Sequence, residues 1–332
     1  MKCTNRKLLT VLSAWLFAAF LCGCGGLKYD FAYDPDYKVS SFQVTKTSEN
    51  LETSSFAQNL CIVSADVSAN DLNLENAGAA CLFDLGSSGV LYSKNAHERL
   101  NPASLTKIMT ALAAVKYGSM DQVLTATNNV NITESGAQLC GLKAGDSMTL
   151  DQALHILLMY SANDVAMLIA ENIGGSVEGF LEMMNTEAVR LGATNTHFAN
   201  PHGLTQDNHY TTAYDLYLIF NEALKYESIT QIMHMSAYET VYTDKDGKSK
   251  ELSVKTTNRY LRGDFNPPEN ITVIGGKTGT TNAAGACLIL LTKDTSGNSY
   301  VSVILRDPTS DDLYLDMTSL LREINNQKER FD

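Results

Sequence analysis

The chain has 332 residues, 44% hydrophobic and 19% charged, with 22 Gly and 6 Pro. This composition excludes a disordered tail protein, a collagen-like fibre and a coiled coil. Its core is large enough to need no disulfide staples. The formal charge of −12 repels phosphate backbones, so no nucleic-acid partner is expected.

Residues 1–7 are basic, and Leu8 to Leu21 is an almost unbroken apolar run. A run of about 14 residues suits a secretory leader and falls short of the ~20 needed for a permanent membrane span. It ends in Leu21-Cys22-Gly23-Cys24-Gly25-Gly26. This resembles the lipobox of bacterial lipoproteins, in which the cysteine after a Leu-x-Gly-like triplet is lipidated and becomes the mature N-terminus. Cys24 holds that position. The expectation is a signal peptide over residues 1–24 and a protein lipid-anchored at the extracytoplasmic face of the cell membrane. An ordinary leader would make it a secreted protein. Residues 25–65 lack periodicity and are rich in Ser, Thr, Asn, Asp and Glu, which reads as a flexible tether. Residues 66–332 form the expected globular domain.

That domain opens with a strand, Ala79–Asp84, a turn at Gly86-Ser87-Ser88-Gly89, and a second strand, Val90–Ser93. From Ser104 the residues Leu105, Ile108, Met109, Leu112 and Val115 recur at helical spacing with alanines between them, the mark of a buried helix. Helical spacing continues over Leu150–Ile169, Val177–Leu191 and Thr212–Leu224. Strands return at Tyr238–Tyr242 and Glu251–Val254, around the hairpin signal Asp244-Lys245-Asp246-Gly247. Further strands cover Val273–Thr278, Ala286–Thr292 and Tyr300–Leu305, and a helix over Asp311–Ile324 follows. Strands at both ends with helices between them predict one α/β (α+β) domain. Its sheet is assembled from the two ends of the chain, with a helical insertion.

Of the seven cysteines, Cys61, Cys81, Cys140 and Cys287 lie beyond the leader. They form no Cys-x-x-Cys pair, and their spacing decides no disulfide. Cys81 and Cys287 fall in apolar strands and read as buried thiols. The six histidines supply no compact ligand set, so neither metal nor cofactor is expected.

Three short elements carry chemistry. In Ser104-Leu105-Thr106-Lys107 the serine and lysine share one helical face. A lysine inside an apolar helix is expensive unless it has a task. With its pKa depressed by burial or by another cation, it can take the serine proton. Ser161-Ala162-Asn163 offers a second hydroxyl for proton relay, and an amide that accepts from the lysine and donates to a substrate carbonyl. Lys277-Thr278-Gly279-Thr280 ends a strand with a cation and two hydroxyls for a substrate carboxylate. Gly279 lies where a ligand backbone must pass close.

Ser-x-x-Lys, Ser-x-Asn and Lys-Thr-Gly, in that order, mark class A β-lactamases and penicillin-binding proteins. The surrounding residues resemble one branch, the serine D-alanyl-D-alanine carboxypeptidases. They are Leu91–Arg99, Pro102–Ala111, Asn200-Pro201-His202-Gly203-Leu204, Tyr214-Asp215, and Gly276–Thr281 with Ala284-Gly285. The resemblance runs from about residue 75 to 325. It implies a β-lactamase/transpeptidase-like mixed sheet flanked by helices, with an all-helical subdomain. It implies Ser104 as the acyl-enzyme nucleophile, Lys107 as its proton acceptor and Ser161 as a relay. Asn163, Lys277, Thr278 and Thr280 would bind substrate, and the backbone N–H groups of Ser104 and Thr280 would form the oxyanion hole. Peptidoglycan stem peptides and β-lactam antibiotics are the implied partners, besides a membrane reached through a lipid on Cys24. Nothing in the sequence sets an oligomeric state.

Two rivals remain open at this stage. A class A β-lactamase would carry a deacylating glutamate, but Thr194–Asn200 has no acid. A non-catalytic, penicillin-binding sensor or scaffold lipoprotein would keep Ser104 and turn over no peptide. His202 invites a Ser–His reading, but no chain-order partner supports it.

Overall fold

The computed structural model describes residues 57, 59–69 and 72–328. The leader, Cys24 and most of the expected tether lie outside the described residues. Within them a five-stranded sheet runs in the order β2-β1-β9-β8-β7. Its strands are β1 (Ala79–Asp84), β2 (Gly89–Lys94), β7 (Ile271–Thr281), β8 (Gly285–Asp294) and β9 (Ser299–Asp307). The sheet joins the two ends of the domain, as the strand pattern predicts. Every recorded pairing in it is antiparallel, where the resemblance implies a mixed sheet.

The central strands are apolar at nearly every position because both of their faces are covered. Successive side chains point to opposite faces, and the core divides accordingly. Cys81, Phe83, Cys287, Ile289, Leu291, Val301, Val303 and Leu305 pack toward the helical insertion. Ala80, Leu82, Leu288, Leu290 and Ile304 pack on the other side. There they meet Leu313, Tyr314, Met317, Leu320 and Leu321 of the long helix Ser310–Lys328. The thiols of Cys61, Cys81, Cys140 and Cys287 are all free.

Between β2 and β7 the chain forms α1 (Thr106–Tyr117), α2 (Leu150–His155), α3 (Asn163–Gly174), α4 (Val177–Arg190), α5 (Ala213–Ala223), α6 (Glu227–His234) and the short α7 (Arg259–Arg262). Ser310–Lys328 is then α8. Every residue of α1 from Thr106 to Ala114 is buried, which explains its lack of a polar face.

Three expectations need correction. The insertion is not all-helical. It carries its own four-stranded sheet, β3 (Val123–Thr125), β4 (Ser147–Thr149), β5 (Ala237–Thr243) and β6 (Ser249–Lys255). The hairpin at Asp244 therefore belongs there and not to the main sheet. The helix expected over Leu150–Ile169 is broken. A π turn, Ile156–Tyr160, ends at Ser161, whose φ is +70°. The segment just before residue 66 is not a tether. Cys61 and Val63 are core residues, and the Cys61 N–H donates to the Tyr217 hydroxyl at 2.9 Å. The apolar run Leu60-Cys61-Ile62-Val63 is four residues long, too short to show a period from which to read this.

Candidate active site

Two local breaks in helical geometry aim the two serines. Ser104 lies in a 3-10 turn, Ala103–Leu105, immediately before α1. The turn is entered through Ala103 at φ +46°. A non-glycine residue there costs on the order of 1–3 kcal/mol and is held only by strong surroundings. Ser161 follows the π turn and is itself left-handed. Its N–H donates to the Ile156 carbonyl at 3.1 Å, the i to i−5 bond that typifies such bulges at functional sites.

The Lys107 amine is completely buried and meets three oxygens. Its Nζ lies 2.8 Å from Ser104 Oγ, 2.6 Å from Asn163 Oδ1 and 2.6 Å from the His202 carbonyl. Burial first, then the neighbouring Lys277 ammonium, hold its pKa well below the usual lysine range, against the opposing pull of Asp164. As a neutral amine it donates its two hydrogens to Asn163 and His202, and its lone pair faces the Ser104 hydroxyl. That is the arrangement of a nucleophile and its general base.

Lys277 sits across the cleft on β7, equally buried. Its Nζ donates to Ser161 Oγ at 2.9 Å and to the Thr278 carbonyl at 2.8 Å. Burial lowers its pKa to about 7. In the free protein it is therefore partly neutral near pH 7, where the sequence reading expects a permanent cation. A carboxylate arriving in the cleft restores the charge.

Thr278 Oγ1 is fixed by Thr257 Oγ1 at 2.6 Å, and the Thr257 N–H donates to the Met159 carbonyl at 3.0 Å. These bonds tie the Lys-Thr-Gly strand to the turn that carries Ser161. Gly279 lies against the backbone of Ser104. A Cβ there would come within 2.7 Å of Ser104 N and 3.0 Å of Ala103 Cβ. The close approach packs the Gly279 backbone against the peptide that carries Ser104.

Ser104, Ser161, Asn163, Thr278 and Thr280 line one cleft of about 480 Å³, with both lysines anchored behind it. The three sequence elements thus converge. None of the described residues lining this cleft is Asp or Glu, and the cations that line it are the partly buried Arg259 and the exposed Arg262.

Several participants escaped the sequence reading. The His202 carbonyl is a backbone acceptor with no side-chain signature. Thr257 and Arg259 lie in a stretch read only as following a strand. The Arg259 guanidinium packs 4.5 Å from the Phe265 ring centre and donates to Asp311 Oδ1 at 2.6 Å. Asp164, next to Asn163, is buried and accepts from the N–H groups of Cys140, Gly141 and Leu142. It pins the loop beside the cleft.

The sequence profile of the D-alanyl-D-alanine carboxypeptidases, peptidase family S11, matches residues 65–309. The chain belongs to this family. It is 38% identical over 216 residues to the D-alanyl-D-alanine carboxypeptidase DacF of Bacillus subtilis, covering 64% of this chain and 53% of DacF. It is 34% identical over 242 residues to DacC of Escherichia coli, covering 69% of this chain and 56% of DacC. The chain thus spans about half the length of the curated relatives it matches. Among solved structures, the Streptomyces K15 DD-transpeptidase superposes with a TM-score of 0.69 at 27% identity, over 75% of this chain and 96% of that one. The α/β scaffold expected from the three motifs is therefore the scaffold of this family.

Proposed function

We propose that this member of the family is a serine-type D-alanyl-D-alanine carboxypeptidase that removes the terminal D-alanine of peptidoglycan pentapeptide stems through an acyl-enzyme on Ser104. One observation carries the reading: the buried, pKa-depressed Lys107 amine lies 2.8 Å from the Ser104 hydroxyl. Ser104 Oγ attacks the carbonyl carbon of the penultimate residue and Lys107 Nζ takes its proton. The peptide N–H groups of Ser104 and Thr280 meet the oxyanion, each donor contributing about 3 kcal/mol in comparable enzymes. Lys277, Thr278 and the Thr257 bond behind it receive the C-terminal carboxylate. Collapse breaks the C–N bond, and the leaving D-alanine amine takes a proton delivered by Lys107 or through Ser161. Water then adds its hydroxyl to the ester carbon and its proton to Ser104.

Beyond Thr280 the cleft continues into a groove of about 590 Å³ lined by Thr281, Asn282, Ala283, Thr205 and Glu134. On this reading it takes the acyl side of the stem. β-Lactams acylate Ser104 in the same way, and their deacylation is slow because, among the described residues, no carboxylate lines the part of the cleft around Ser104 to activate water. Attachment to the extracytoplasmic face of the membrane through a lipid on Cys24 completes the reading, and the Leu21–Gly26 sequence supports it. No helix among the described residues is long and apolar enough to cross a membrane.

The test is D-alanine release from a pentapeptide stem. Wild type releases it and Ser104→Ala does not. Penicillin labelling without any release from the wild type would favour a sensor or scaffold protein. For the anchor, Cys24→Ser moves the protein from membrane to medium or leaves it unprocessed. Unchanged membrane fractionation of a processed Cys24→Ser protein would refute the lipid.

A further inference from the structure

We propose that His209 is a positioning residue for acylation: through Thr106 it holds the Ala103 carbonyl, and with it the left-handed turn that presents Ser104. The inference takes Ser104 as the acylated residue and so rests on the reading above.

The bonding order fixes the protons. The Ala199 N–H donates to His209 Nδ1 at 3.0 Å, so that nitrogen is the acceptor and the ring proton sits on Nε2. Nε2 lies 2.9 Å from Thr106 Oγ1 and donates to it. The threonine hydrogen is then committed to the Ala103 carbonyl, 2.8 Å away. Every member of this chain, from ring to hydroxyl to carbonyl, is buried. Burial, helped by His197 and Lys107, lowers the His209 pKa to about 4, so the neutral ring and its single proton persist at neutral pH.

The far end of the chain is the strained residue. Ala103 has φ +46°, and its carbonyl receives both the backbone N–H and the hydroxyl of Thr106. Gly203 closes over the same atom, since a Cβ there would lie 1.9 Å from the Ala103 oxygen. The segment carrying His209 also supplies the His202 carbonyl to Lys107 and the Pro201 carbonyl to Thr110 at 2.6 Å. One strap, residues 199–209, thereby orients the nucleophile's turn and its base together. A reacting atom misplaced by 1 Å can lose about 100-fold in rate, so a remote bond that fixes the Ala103 carbonyl acts on the chemical step.

The test compares His209→Leu, which loses both bonds, with His209→Gln, whose amide can accept from Ala199 and donate to Thr106. Thr106→Val keeps the shape and loses the bond to Ala103. Acylation by a penicillin is measured as a rate constant per competent site, with competent sites counted by titration. His209→Leu and Thr106→Val are expected to acylate about 10- to 100-fold more slowly, with KM for a peptide substrate nearly unchanged. His209→Gln stays within about twofold of wild type. If His209→Leu does not fold, Thr106→Val decides alone. Wild-type rates per site in Thr106→Val, or a loss seen only in the number of competent sites, would overturn the proposal. A wild type that penicillin does not acylate would instead refute the functional reading on which it rests.

Discussion

Lys107 and Lys277 are both fully buried and each bonds a serine hydroxyl, yet their remaining contacts differ. Lys107 is enclosed by three neutral oxygens, with a second lysine nearby to discourage its charge. Lys277 is met by two oxygens among the described residues, which leaves one hydrogen of its ammonium form for a ligand. The comparison teaches that burial alone does not assign a role. An amine that meets a third oxygen, a hydroxyl, beyond the two acceptors of its neutral-form hydrogens becomes a base. An amine with a spare N–H beside an open cleft becomes an anion site, charged by the anion it binds. Burial lowers the pKa of both amines, and the Lys277 charge lowers that of Lys107 further.

The sharpest way to break this contrast is Lys107→Ala. Loss of a general base is expected to slow acylation about 100- to 10,000-fold, for penicillins and peptides alike and whether or not the substrate has a C-terminal carboxylate. Stopped-flow acylation rates check it, and a carboxylate-dependent loss would transfer the base role elsewhere. Gly279→Ala should come next. Its Cβ meets the Ser104 backbone at 2.7 Å, so one of the two elements must shift and the oxyanion contact with it, for a loss of about 100-fold in kcat. A wild-type kcat would show that the close approach is not needed.

Lys277→Ala sharpens the comparison from the other side. A lost charge-assisted bond should lower kcat/KM about 10- to 100-fold for a peptide thioester acid, and far less for its C-terminal amide. The pH profiles separate the two lysines further. The charged form of Lys277 exists below about 7, so kcat/KM for the acid falls as pH rises through that value. The amide lacks this limb. Lys107 must be neutral, so both substrates lose rate as pH falls through its lowered pKa. Removing the Lys277 charge raises the Lys107 pKa, and the acid limb in Lys277→Ala should move to higher pH. An acid limb that stays in place would contradict the coupling. The smallest effect is expected from Thr257→Val, which removes one neutral hydrogen bond behind Thr278. A few-fold rise in KM for carboxylate substrates corresponds to the ~1 kcal/mol of such a bond, and kcat should hold.

What was legible in the sequence follows from what each feature encodes. β1, β8 and β9 are buried on both faces, so their apolar runs are continuous and easily seen. Ser104 and Lys107 stand one turn apart on a helix without a polar face, and that pattern alone marks the lysine as unusual. The π turn at Ile156–Tyr160 left no trace, because the residues on both sides of it keep helical spacing and only a backbone bond shifts. The three-residue strands β3 and β4 are too short to alternate visibly. The hairpin of β5 and β6 was visible, but its sheet is chosen by tertiary pairing with β4. The contributions of His202 and Ala103 are made by carbonyl oxygens, which every residue has, so no choice of side chain announces them.

The central claim is that Ser104, served by Lys107, is the residue acylated. Mass spectrometry of peptides from penicillin-treated wild type, Ser104→Ala and Ser161→Ala tests it most directly. The account expects one penicilloyl adduct on Ser104 in the wild type, slower formation of the same adduct in Ser161→Ala, and none in Ser104→Ala. An adduct on Ser161, or one that persists when Ser104 is replaced, would contradict it.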